Sequence, residues 1–232
     1  MTPADDPDAP ELLDLETAPR LGRKTRVQSA IANRKRRAVQ ANASARSCIG
    51  PLEPGMALFA VTRGQFSMID VINDLVWKMG KADVSVWTWA IAEYEVEVFT
   101  ALLDRREIGK GTLVVDYTAE GRNPGLLDKW RDRFGEGSVR VVRTHAKIAR
   151  VWNDDLRFLA RGSMNLNFNP RFEQFDLTEG GQDFDLVTEL EDELAVLPRG
   201  ATRAQAEANS RLDRAWTAQQ LELWGPMNDW KK

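Results

Sequence analysis

Short apolar segments alternate with amphipathic helical segments from residue 56 onward, and this alternation restricts the possible folds more than any other feature of the chain. Consecutive strand–helix–strand units connect in a right-handed sense and usually pair their strands in parallel. The sequence therefore predicts an α/β fold with a mixed, largely parallel sheet flanked by helices. The predicted strands cover 57–62, 82–91, 111–118 and 138–144, and the predicted helices cover 66–80, 93–108 and 124–135.

The pattern changes after residue 145. Two arms with alternating apolar residues, 147–153 and 156–162, flank the pair Asp154-Asp155, which predicts a β-hairpin. A further strand is predicted over 172–180. Two helices are expected beyond it, at 182–197 and 202–223.

The N-terminal region is divided by charge. Residues 1–19 contain six acidic and no basic residues, which indicates a disordered tail, whereas residues 20–46 contain nine basic and no acidic residues. Good helix formers in the second segment predict a basic helix over about 25–46. Such a segment attracts nucleic-acid phosphates without reading sequence, although it could also be simply solvated or could neutralise the acidic tail. The candidate nucleic-acid-binding residues are Arg23, Lys24, Arg26, Arg34, Lys35, Arg36 and Arg37.

These patterns divide the chain into four predicted parts. They are an acidic tail (1–19), a basic helical arm (20–50), a main α/β domain (51–180) and a helical extension (181–232).

Composition excludes several classes of protein. The chain has one cysteine, Cys48, and one histidine, His145, so neither an internal disulfide nor a structural zinc site is expected. No run approaches eighteen apolar residues, and the acidic N-terminus does not resemble a signal peptide. We therefore predict a cytoplasmic protein that has no membrane segment and uses no cofactor or metal.

Four polar side chains are predicted to converge where strands end. His145 and Lys147 are two residues apart, so on an extended segment their side chains share a face, and Ser163 and Asn165 follow the predicted hairpin in the segment Gly-Ser-Met-Asn. An imidazole can attack phosphorus and form a covalent phosphohistidine. The ammonium, hydroxyl and amide can stabilise the charge that develops on the phosphate oxygens. This combination suits phosphodiester chemistry without a metal.

A carboxylate is also expected, because the second imidazole nitrogen needs a partner that fixes the tautomer. Asp176 and Glu173, on the strand predicted over 172–180, are the two candidates.

The motifs His145-Ala146-Lys147 and Gly162-Ser163-Met164-Asn165 resemble the HxK and GSxN signature of the phospholipase D superfamily. The resemblance implies a phospholipase D-like fold, favours Asp176 over Glu173 by its spacing, and implies a homodimer because this chain carries one motif. Single-motif members of this size include metal-independent endonucleases, so the implied activity is DNA cleavage. One departure is Trp152, which stands where the family often has an aspartate.

Two other functions remain open. The protein could keep this fold for nucleic-acid binding or assembly with little catalysis, or it could hydrolyse or transfer phosphatidyl groups. Trp87 and Trp89 could stack on bases, although core packing or a dimer interface is favoured for both.

Overall fold

The computed structural model describes residues 35–40, 43–166 and 171–209 of the chain. The described strands form one eight-stranded sheet. The strands are β1 (Lys35–Gln40), β2 (Met56–Thr62), β3 (Ala82–Thr88), β4 (Ile108–Asp116), β5 (Val139–Val142), β6 (Ile148–Trp152), β7 (Arg157–Gly162) and β8 (Glu173–Glu179). The helices are α1 (Ala45–Ile49), α2 (Met68–Met79), α3 (Glu93–Asp104), α4 (Thr118–Arg122), α5 (Pro124–Phe134), α6 (Gln182–Asp192) and α7 (Arg203–Ala208), with a 3-10 helix at Glu136–Ser138.

The strand order is β1-β2-β8-β7-β6-β3-β4-β5. β1 pairs in parallel with β2, and β3, β4 and β5 form a second parallel group. The four pairings between these groups are antiparallel. The prediction of a mixed α/β sheet is confirmed, but the expectation that it is largely parallel was wrong. The short turn between β6 and β7 imposes antiparallel pairing, because a parallel connection needs a long crossover.

The helices between strands cover one face of the sheet. α2 packs against β6, and α3 and α5 pack against β4. Their apolar sides bury a large cluster that includes Ile72, Phe99 and Trp130. α2 begins at a capping box formed by Ser67 and Asp70, as its sequence pattern favours. The opposite face is covered in part by α6, whose Phe184 packs in a second cluster.

The predicted basic helix over 25–46 is corrected where the structure describes it. Lys35–Gln40 is the strand β1, hydrogen-bonded to β2 at one side of the sheet. Pairing with an exposed strand outweighs a modest helix propensity, and basic side chains are well suited to an outer strand. The acidic tail and Arg23, Lys24, Arg26 and Arg34 lie outside the described residues.

Arg37 connects β1 to the end of α1. Its guanidinium donates hydrogen bonds to the carbonyl oxygens of Cys48, at 2.7 Å, and Ile49. Cationic groups are stabilising at this end of a helix.

We expect Arg37→Ala to lower the free energy of unfolding by about 1 kcal/mol, or the melting temperature by roughly 2–4 °C. The exposed Lys110 is the control, since Lys110→Ala should change stability by less than about 0.5 kcal/mol. Weaker nucleic-acid binding with an unchanged melting temperature would contradict this structural role for Arg37.

The segment after β8 is also helical, as predicted, although its helices are shorter where they are described. α6 ends at Asp192 and α7 spans Arg203–Ala208, while residues 210–232 lie outside the described part. Asn209 fixes α7 to the sheet through a hydrogen bond from its Nδ2 to the Val141 carbonyl oxygen, 3.0 Å away. None of the helices in the described part of the chain is long and apolar enough to cross a lipid bilayer.

Candidate active site

The strand directions bring several chain segments to the same end of the sheet. The strands that end there include β2, β3, β4, β5 and β7. The antiparallel strands β6 and β8 begin there. We call it the site end. It receives Lys147 directly before β6, Ser163 directly after β7 and Glu173 as the first residue of β8.

Backbone hydrogen bonds continue past the strands and hold the two motif segments together. The hairpin predicted at Asp154-Asp155 is confirmed by the pairing of β6 with β7. At the site end, the Gly162 amide donates to the Lys147 carbonyl oxygen at 3.1 Å. The Ser163 amide donates to the carbonyl oxygen of Gln174 on β8 at 3.0 Å. The motif residues are therefore placed by three neighbouring strands.

Lys147 contacts the only histidine of the chain. Its Nζ lies 3.1 Å from Nδ1 and 3.3 Å from Nε2 of His145, and it donates to the His145 carbonyl oxygen at 2.8 Å. Both ring nitrogens lie at contact distance from the same Nζ, so the ammonium is placed against the imidazole ring without selecting one of its nitrogens. The His145 side chain is exposed, whereas Lys147 is buried.

Burial controls the charge state of this lysine. Loss of solvent lowers the pKa of the Lys147 ammonium, and the nearby Glu173 carboxylate opposes this effect by raising the same pKa. A positive charge with little water around it interacts strongly with an anion that enters the site.

Ser163 is fixed by the start of β8. Its hydroxyl donates to Glu173 Oε2 and accepts a hydrogen bond from the Gln174 amide at 3.0 Å. The serine hydroxyl thus links the carboxylate to the motif segment.

The structure separates the two candidate carboxylates. Phe175 and Leu177 on β8 point into the large core cluster, and Glu173 shares their face because side chains alternate along a strand. Asp176 points to the opposite face, away from Lys147. Of the two candidates, Glu173 is the one on the side of Lys147, and which of them orients His145 stays a prediction. Asp176 fits the residue spacing of the family better than Glu173 does. It lies three residues after Glu173, however, and an odd number of residues along a strand places a side chain on the opposite face of the sheet.

Asn165 lies on the segment that follows Ser163. Its neighbours Met164 and Leu166 are buried, and the Leu166 amide donates to Thr88 Oγ1 at 3.4 Å. The Oδ1 atom of Asn165 is buried and has no hydrogen-bond partner among the described residues. Buried polar atoms are normally satisfied, and this oxygen can only accept, so its partner must be a hydrogen-bond donor. The Nδ2 group of the same amide is the part of Asn165 that can donate to an anion.

A loop after β5 carries His145, and Asp116 at the end of β4 holds it. The Asp116 carboxylate accepts hydrogen bonds from the Thr144 amide at 3.1 Å and from the Thr118 amide at 3.0 Å. Asp116 is not among the candidate residues selected from the sequence. What could have indicated it is an acidic residue near the end of the predicted strand 111–118.

Two tryptophans that looked equivalent in sequence have different environments. Trp87 packs against the core and donates from Nε1 to Glu191 at 2.6 Å, as the core interpretation predicts. Trp89 follows the end of β3 and is 38% exposed, with its ring 5.7 Å from that of His145. The sequence pattern favours core packing or a dimer interface for Trp89 and does not indicate its position beside His145.

Trp152 lies at the far end of β6 from Lys147. Its ring packs edge-on against Phe184 of α6, with centroids 6.1 Å apart. The residue that departs from the family pattern is therefore part of the packing beneath α6 and lies away from the site. Within the described ranges, no three His, Cys, Asp or Glu side chains are grouped so that they could hold a metal ion.

Comparisons with known proteins gave structural similarities only. No protein-family profile matches the chain, and no curated protein sequence matches it. Polyphosphate kinase from Porphyromonas gingivalis is 13% identical over 58% of this chain and 25% of its own, with a TM-score of 0.44. NucT from Helicobacter pylori is 14% identical over 59% of this chain and 92% of its own, with a TM-score of 0.40. Phosphatidylserine synthase from Haemophilus influenzae Rd KW20 is 15% identical over 72% of this chain and 45% of its own, with a TM-score of 0.41.

The two motifs lie side by side in the fold. The HxK residues precede β6, the GSxN residues begin at the last residue of β7, and the two segments are hydrogen-bonded at one end of a mixed eight-stranded sheet. In these motifs, the chain resembles the phospholipase D superfamily.

Proposed function

We propose that the protein is a metal-independent phosphodiesterase that cleaves nucleic acid, with DNA as the first candidate, through a covalent intermediate on His145. The observation that carries the proposal is the contact between this imidazole and the buried Lys147 ammonium. The imidazole is thereby held beside a positive charge that has little water around it, and Ser163 and Asn165 lie on the adjacent segment.

The reaction has two steps. One nitrogen of His145 attacks phosphorus, the new N–P bond replaces the bond from phosphorus to the leaving oxygen, and that oxygen takes up a proton. Water then attacks phosphorus, loses a proton and releases the imidazole. Lys147 and the Nδ2 group of Asn165 donate to the non-bridging oxygens, where negative charge is concentrated in both steps. Ser163 joins them when its hydroxyl turns from Glu173 to the phosphate.

The leaving oxygen needs a proton, and a group other than the attacking His145 must supply it. This chain has one histidine, so we propose a homodimer in which His145 of the partner subunit supplies that proton. Glu173 acts as a positioning residue, because its carboxylate accepts from Ser163 and its charge acts on Lys147.

The basic N-terminal segment is proposed to add affinity that does not depend on sequence. Its candidates are Arg23, Lys24, Arg26, Arg34, Lys35 and Arg36. If the segment binds phosphates, its removal should reduce the slope of log affinity against log salt.

The proposal is tested by incubating the purified protein with end-labelled single-stranded, duplex and plasmid DNA, and with RNA, in EDTA. Cleavage in EDTA is expected, together with a label that remains attached to the protein after rapid denaturation. Binding without cleavage would contradict the proposal and favour a binding or assembly protein. Activity confined to phospholipid vesicles would favour phosphatidyl chemistry instead.

The Lys147 ammonium should contribute to the pH dependence of cleavage, beside the proton that His145 of the partner subunit donates. Because burial lowers the Lys147 pKa, we expect kcat/KM to fall on the alkaline side at a lower pH than an exposed lysine would give. Glu173→Gln removes a charge that raises this pKa, so the alkaline limb should move to still lower pH. Lys147→Arg should remove the contribution of Lys147 to this limb, because a guanidinium stays protonated. A limb that moves upward in Glu173→Gln would show that another group controls it.

A further inference from the structure

Two arginine–aromatic pairs lie at the site end of the sheet. The Arg63 guanidinium lies 5.3 Å from the ring centre of Phe172, and the Arg122 guanidinium lies 4.1 Å from the ring centre of Trp89. Phe172 is 72% exposed, so its ring is accessible from solvent.

The pairs stand on opposite sides of the proposed catalytic residues. Along the sheet, the order β2-β8-β7-β6-β3 places Arg63 and Phe172 beside the β2 and β8 termini and Trp89 beyond β3. Ser163 and Lys147 lie between them, on β7 and β6. The strands β8 and β3 are three positions apart, or about 14 Å at the usual spacing between strands.

The Arg122 pair is held in place before any ligand binds. Its guanidinium donates from Nη2 to the Trp89 carbonyl oxygen at 2.6 Å and from Nε to the Thr118 carbonyl oxygen at 3.3 Å. A fixed, planar cation over an indole offers a flat surface at little cost in side-chain entropy.

We infer that these two pairs bind the bases on either side of the cleaved phosphate, and that the substrate is therefore a single-stranded nucleic acid. This inference rests on the proposed function. Unpaired bases stack on aromatic rings and on guanidinium planes, whereas bases in a duplex have both faces covered by their neighbours. The positive charge beside each ring also attracts the flanking phosphates. A lipid chain would instead require a continuous apolar surface, which the guanidinium groups interrupt.

The test measures binding to fluorescent oligonucleotides in EDTA, in a His145→Ala background that prevents cleavage. Three probes of equal length are compared: a single strand, its duplex, and a strand of abasic sugar-phosphate units. Phe172→Ala and Arg122→Lys should each weaken single-strand binding by about 5- to 100-fold and leave abasic binding within about twofold. Arg122→Lys keeps the charge, so its effect separates stacking from attraction to phosphate.

The chain supplies a matched control on α2. Trp77 is 60% exposed and has the Arg46 guanidinium 3.8 Å from its ring centre. It lies in the last turn of α2, toward the opposite end of the sheet, so Trp77→Ala should leave binding of all three probes unchanged.

The outcomes separate the two proposals. Unchanged single-strand binding in both site variants, or tighter binding of the duplex by the parent protein, would overturn the inference even if cleavage depends on His145. If the site variants weaken single-strand binding but the protein with His145 intact cleaves no probe, the proposed catalysis fails and the base-binding surface stands.

Discussion

His145→Ala is expected to reduce cleavage in EDTA by at least about 10⁴-fold, because the variant loses the proposed nucleophile and the chain has no other histidine. The side chain is exposed, so its removal should change the free energy of unfolding by less than about 0.5 kcal/mol. Single-turnover cleavage and thermal melting of the same preparation would measure both effects.

A matched variant distinguishes loss of the nucleophile from a disturbed loop. Arg143 lies two residues earlier on the same segment, is exposed and forms a surface ion pair with Glu207 at 3.2 Å. Arg143→Ala should keep cleavage within a few-fold of the unmodified protein. Activity retained by His145→Ala, or lost equally in both variants, would contradict the assignment of His145 as the nucleophile.

Mixing subunits tests the proposed dimer. If one His145 attacks and His145 of the partner subunit protonates the leaving oxygen, a dimer with one His145→Ala subunit is inactive. After random exchange of subunits, activity should fall as the square of the unmodified fraction. A linear decrease, or a protein that is active as a monomer, would exclude a shared site.

Local patterns predicted the elements that local interactions determine. α2 lies within the predicted range, since its apolar spacing, its capping box and Gly80 agree on where it begins and ends. The hairpin was also predictable, because the Asn153 side chain accepts from the Asp155 and Leu156 amides and so stabilises the turn.

Contacts between distant segments account for what sequence patterns missed. β1 forms because β2 offers hydrogen bonds to it. The secondary-structure propensity of Lys35–Gln40 contains no information about that pairing. The choice between Glu173 and Asp176 depended on the register of β8, which a count of residues along the chain does not reveal. The pair of Arg63 with Phe172 joins residues from different elements, so no sequence spacing indicates it.

The glycine of the GSxN motif has a steric role that can be measured. A Cβ at Gly162 would lie 2.1 Å from the Gln174 carbonyl oxygen and 2.8 Å from the Phe175 Cα, both backbone atoms of β8. Gly162→Ala must therefore push β8 away from β7. We expect it to lower the free energy of unfolding by roughly 2–4 kcal/mol, or the melting temperature by about 5–15 °C.

Gly125 provides the control, because a Cβ at this position in α5 meets no atom within 4 Å. Gly125→Ala should be neutral or slightly stabilising. The displaced β8 also carries Glu173, which accepts from Ser163, so cleavage by Gly162→Ala should fall even at temperatures where the variant remains folded. Full stability with lost cleavage would instead show that Gly162 leaves room for the substrate. Loss of both would show that this glycine is required because two strands approach closely where they position the catalytic residues.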